Sequence, residues 1–114
     1  MRIEKEILED LKKLNLHFII NQPDTEYTTL LFDVENTLKF LDFCEDNKIY
    51  SYGYDGFRIK GKDLCPDLKF IGTTGNTSIS GHVMKKGFLQ DINETPERRK
   101  EAEEMYFEFV LTYS

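Results

Sequence analysis

Ile49-Tyr50-Ser51-Tyr52-Gly53-Tyr54-Asp55-Gly56-Phe57-Arg58-Ile59-Lys60 alternates large apolar residues with small or polar ones on both sides of an Asp-Gly pair. Asp-Gly accepts positive φ at both central positions of a tight turn. The stretch therefore reads as two antiparallel strands joined by a two-residue turn at Asp55-Gly56. In that register Tyr54 pairs with Phe57 and Tyr52 with Ile59. Tyr50, Tyr52, Tyr54, Phe57 and Ile59 then share one face, and Ser51, Gly53, Arg58 and Lys60 the other. The tyrosines are expected to pack against helices with their hydroxyls reaching an edge, which leaves no stacking platform on the solvent side.

Outward toward the N-terminus, the spacing of Ile3, Ile7, Leu8, Leu11 and Leu14 predicts an amphipathic helix from about Arg2 to Leu14. Leu16-His17-Phe18-Ile19-Ile20 reads as a short strand covered on both faces. Gln22-Pro23-Asp24-Thr25 has turn chemistry, and Tyr27–Phe32 follows as the returning strand of a hairpin. Asp33 is placed to cap a second helix, with Val34, Leu38, Phe40, Leu41 and Cys44 inward and Glu35, Lys39, Asp42 and Asp46 outward. Glu45 and Asp46 at its C-terminal end oppose the helix dipole.

Toward the C-terminus, Leu68–Ile71 reads as a strand, Gly72–Ser78 as a loop, and Ile79–Met84 and Gly87–Ile92 as two further strands. Thr95-Pro96 opens a final helix, with Thr95 as cap and Pro96 at the first position. Ala102, Met105, Tyr106, Phe109, Val110 and Tyr113 keep a helical spacing, although Tyr106–Tyr113 is also rich in strand formers. The expectation is a single compact α+β domain over residues 1–114. Its mainly antiparallel sheet has about five to six strands, packed by an N-terminal, a middle and a C-terminal helix.

The chain has 114 residues, of which 39% are hydrophobic, with nine Phe and six Tyr, enough apolar bulk for a core. No apolar run approaches the ~20 residues of a membrane span, and the charged start lacks the apolar middle of a signal peptide. A cytoplasmic protein is expected. The net charge is −6, and Asp24–Asp46 alone carries seven acids against Lys39. Arg58–Lys69 carries a net +2, and Lys85-Lys86 another two positive charges. An acidic chain without a long basic stripe is repelled by phosphates, so no nucleic-acid partner is expected.

Catalytic and metal chemistry find little support. Cys44 lies on the inward half of a helix, while Cys65 precedes Pro66 in a predicted loop. A Cys65–His82 dyad lacks any surrounding signature. The two cysteines and the two histidines (His17 and His82) form no close pair of zinc-ligand spacing, so no metal and no cofactor are expected. Gly72–Ser78 has phosphate-loop composition but lacks the Gly-Lys-Ser/Thr ending, and no helix is predicted directly after it. Arg98-Arg99-Lys100 sits in a helix's first turn, where compensation by Glu103 and Glu104 is the simplest reading.

The profile resembles small bacterial immunity proteins in general character, with no motif that names a family. The expectation is a protein-binding module of inhibitor type, immunity or antitoxin, rather than an enzyme. It would cover a basic partner surface, such as a toxin nuclease active site, using Asp24, Glu26, Glu35, Asp42, Glu45 and Asp46. The alternative is a small-ligand-binding or regulatory domain whose pocket lies beside Tyr50, Tyr52 and Tyr54.

Overall fold

A computed structural model describes residues 3–114. The order is α1 (Ile3–Lys13), β1 (Ile19–Asn21), β2 (Thr29–Leu31), α2 (Val34–Asp46), β3 (Tyr50–Lys60), β4 (Asp63–Thr73), α3 (Gly81–Ile92), α4 (Pro96–Ala102) and β5 (Tyr106–Thr112). The class is α+β, as the sequence suggests. The strands, however, form two antiparallel sheets, β1-β2 and β4-β3-β5, in place of one sheet of five to six strands. A bridge ties them together: Phe32 and Phe107 exchange backbone hydrogen bonds of 2.9 and 2.7 Å.

The first helix follows the predicted stripe, burying Ile7 and Leu11; Arg2, its expected first residue, lies outside the described residues. The next segment is not covered on both faces. Leu16, Phe18 and Ile20 are half-buried while His17 and Ile19 are exposed, so only alternate side chains reach the core. The returning strand shrinks to Thr29–Leu31, and Tyr27 is left 63% exposed. Asp33 caps α2 as predicted: its Oδ1 accepts from the Asn36 amide at 2.9 Å.

The central stretch behaves differently from its Asp-Gly signal. β3 runs unbroken through Asp55 and Gly56, and the chain reverses five residues later, where Gly61 supplies a φ of +63°. Gly56 is small because of packing. A Cβ there would stand 2.7 Å from both Met105 Cε and Phe70 Cβ. Tyr52 is an extra residue in the β3–β5 register, between the pairs Ser51–Leu111 and Gly53–Val110. Tyr54 therefore points into the core, while Phe57 and Ile59 lie on the opposite face, contrary to the single-face arrangement expected from a hairpin.

Residues 79–92 also differ from the expectation. The two predicted strands are one helix, α3, capped by Ser80, and Met84, Phe88 and Ile92 follow each other at intervals of four on its buried side. The final helix begins where Thr95-Pro96 places it but ends at Ala102. The remainder is β5, the alternative held for Tyr106–Tyr113: Phe107 and Phe109 are buried, whereas Val110 is exposed. Pairing with β3 engages one side of its backbone and settles the period in favour of two. Phe32 stacks on Phe40 at 4.3 Å, and Phe88 meets Phe107 edge-on at 4.9 Å, which joins helices and both sheets in one aromatic core.

Candidate functional site

The C-terminal ends of α1 and α2 converge on an open groove of about 650 Å³. Leu14 and Leu16 on one side and Phe43 on the other give it an apolar floor, and Asp10, Asp42 and Asp46 stand on its walls with Lys13 and Lys39. Leu14 is 44% exposed, because α1 ends at Lys13 and carries it past the core. Helix C-termini present unpaired carbonyls and a partial negative charge. The α2 end has no basic residue in its last turn to offset this. The α1 end carries Lys12 and Lys13 in its last turn, so it is the α2 end that adds to the carboxylates, around a floor that favours apolar contact.

The six predicted partner-binding acids do not form one patch. Asp42 and Asp46 meet in the groove. Asp42 also binds Lys85 Nζ at 2.9 Å, which ties α2 to α3. Glu45 turns away from the groove: its Oε1 accepts from the His82 amide at 2.8 Å, at the first turn of α3. This explains a charge that is unfavourable on its own helix, since the same carboxylate satisfies a free amide and the positive end of a neighbouring one. Glu35 lies an i,i+4 step from Lys39, with 3.9 Å between charged atoms, and faces Arg99 and Glu103 across a separate shallow cleft. Asp24, held at φ +63°, and Glu26 are exposed in the β1–β2 turn. Asp10, Leu14, Leu16 and Phe43 were missed as site residues. The only signal for them was a leucine that overran the helix and a phenylalanine beside its apolar stripe.

The tyrosines of β3 separate. Tyr54 is 5% exposed and donates its hydroxyl to Asp91 Oδ2 at 2.5 Å. Burial first, then the Asp91 hydrogen bond and charge, push its phenol well above the ordinary value. Asp91 Oδ1 in turn accepts from Arg98 at 2.8 Å, and the Arg98 guanidinium sits 4.2 Å over the Phe70 ring. Arg98 thereby has an intramolecular acidic partner, and Arg99 binds Glu103 at 3.0 Å as expected. Tyr50 and Tyr52 are only half-buried.

Gly72 and Thr73 belong to β4, and a helix does follow the polar loop after them. Its first amides, however, are already engaged by Glu45 and Ser80. Cys65 pairs across from Arg58 far along the β3–β4 ribbon, while His82 opens α3 beside Glu45. Burial drives the Cys44 thiol far above its ordinary value, so it behaves as a small apolar side chain. Among the described residues, no group of three or more His, Cys, Asp or Glu is placed to hold a metal ion. None of the described helices is long and apolar enough to cross a membrane. Comparison with family models, with curated proteins and with solved structures finds no match to this chain.

Proposed function

We propose that the protein is a cytoplasmic protein-binding module of inhibitor type, in the manner of an immunity protein or antitoxin, that receives a basic partner segment in the groove between α1 and α2. The observation that supports this reading is the position of Asp46. It lies at the negative end of α2 on the groove wall, and no hydrogen bond or ion pair holds it among the described residues. An arginine or lysine of the partner would meet Asp46, Asp42 and Asp10, while an adjoining apolar side chain would rest on Leu14, Leu16 and Phe43. Unlike charge at such a surface raises encounter rate and orientation, and the apolar floor slows release.

The test is a tagged pull-down from native-host lysate at low and high salt, read by mass spectrometry and repeated with Asp10→Lys/Asp46→Lys. Asp42 stays intact in that variant so that its bond to α3 survives. One stoichiometric basic protein, retained at low salt and lost with the double reversal, is the expected result. Equal retention by the variant would reject the groove.

A further inference from the structure

Beyond the pair Phe57–Tyr106, β3 and β4 run on as a two-stranded ribbon with no third strand beside them, and they turn at Gly61-Lys62. The tip of this ribbon carries Lys60 and Lys62. Both are exposed, and neither makes a hydrogen bond or ion pair among the described residues. Asp63 stands across from Lys60 in the register without closing an ion pair to it. On the other face of the ribbon Ile59 is 39% exposed, beside its half-buried partner Leu64. The tip is a pair of free cations on an apolar stem.

The groove between α1 and α2 has the converse chemistry. Its floor is Leu14, Leu16 and Phe43, and Asp10 and Asp46 on its walls are likewise without a hydrogen bond or ion pair among the described residues. Two lysines share those walls, but Lys39 lies 3.9 Å from Glu35, and the uncompensated end of α2 adds its own negative charge. Tip and groove cannot meet within one molecule. Asp46 ends α2 and Tyr50 begins β3, whose climb of about 3.3 Å per residue carries Lys60 about 30 Å away. The longest dimension of the whole chain is 36 Å. Contact between the two surfaces therefore needs a second copy, placed head to tail, in an arrangement that closes as a ring or runs on as a chain.

We propose that the β3–β4 tip of one copy docks in the α1–α2 groove of the next, with Lys60 and Lys62 against Asp46 and Asp10 and with Ile59 on the apolar floor. This docking rests on the proposed reading of the groove as the receptor for an apolar-flanked cation, and it adds regulation to that reading. The chain's own tip competes with the basic partner, so the form that binds the partner is the one whose groove is open.

The experiment is sedimentation velocity of the full chain over a range of concentrations, at low and high salt. Wild type is compared with a tip variant, Lys60→Gln/Lys62→Gln, with a groove variant, Asp10→Lys/Asp46→Lys, and with an equimolar mixture of the two. Wild type should sediment faster as concentration rises, and less so at high salt. Each variant alone should associate roughly tenfold more weakly or worse. The mixture should form a one-to-one pair and nothing larger, because the tip variant keeps its groove and the groove variant keeps its tip. That rescue also shows that neither variant is misfolded. A wild type that stays monomeric at millimolar concentration, a tip variant that associates like wild type, or a mixture without the pair overturns this docking and leaves the groove to its lysate test. Association that the groove variant leaves unchanged also overturns it, and unchanged retention of the lysate partner by the same variant would reject the groove as well.

Discussion

Glu45 Oε1 accepts a hydrogen bond from the His82 backbone amide at 2.8 Å, so the C-terminal turn of α2 caps the N-terminal turn of α3. One residue earlier in α3, Gly81 lies so close to α2 that a Cβ would stand 2.2 Å from the Leu41 carbonyl oxygen and 2.6 Å from the Glu45 nitrogen. Cap and close approach depend on each other. The carboxylate reaches the amide only because the glycine lets the helices meet. Glu45→Ala is expected to cost about 0.5–2 kcal/mol, the range of a lost helix cap, and Glu45→Gln less, read from urea midpoints.

Gly81→Ala is expected to be the more damaging change at this seam. The atoms its methyl would strike belong to backbone, which cannot rotate aside. Overpacking of this kind costs about 1–3 kcal/mol, and the melting temperature should drop by several degrees. An unchanged melting temperature would mean that α2 and α3 separate at little cost.

Tyr54→Phe removes the hydroxyl bonded to Asp91 while leaving Arg98 on the same carboxylate. A loss of about 1–3 kcal/mol is expected for a bond to a charged acceptor. The native phenol titrates well above its unfolded value, so its contribution is fully present below about pH 10 and fades as pH rises beyond that. Wild type should therefore lose stability on the alkaline side, and Tyr54→Phe should lose less over the same range.

Asp67 predicts the opposite pH limb. Its carboxyl is held below the usual range, first by the Lys69 amide at 3.0 Å and then by Arg58 at 3.2 Å. Its contribution is present above about pH 3.9 and is lost as pH falls through the lowered native value. Asp67→Asn should flatten the acid end of a stability-against-pH curve measured by urea unfolding.

Lys48, immediately past α2, is held at φ +55°, a conformation that costs a side chain with a Cβ. Lys48→Gly is expected to stabilise by about 0.5–1 kcal/mol without altering the groove, since glycine is the usual residue at this position after a helix. A raised urea midpoint with unchanged slope would confirm it.

Local signals decided the elements whose causes lie within a few residues. Asp33 and Thr95 cap the helices they were assigned because an oxygen at the right offset satisfies a free amide whatever surrounds it. The α1 stripe likewise needed only its own spacing. Gly81–Ile92 was misread because its period-four set of Met84, Phe88 and Ile92 is interrupted by Gly87 and preceded by an alternating run. Of the site, Asp42 and Asp46 were legible as acids on an outward helix face. Their joining with Leu14 and Phe43 was not, because it depends on where a second helix stops.

The sequence by itself determined the class, the two capped helix starts and the concentration of negative charge, since composition and short-range hydrogen bonding need no tertiary partner. Tertiary structure alone decided the rest. Asp55-Gly56 became mid-strand because β4 and β5 pair with it from both sides. Tyr106–Thr112 became a strand because β3 offered it backbone partners. Glu45 became a cap for another helix because Gly81 allowed close approach. In each case the deciding contact joins residues far apart in the chain, and no local pattern records which distant backbone or side chain will arrive there.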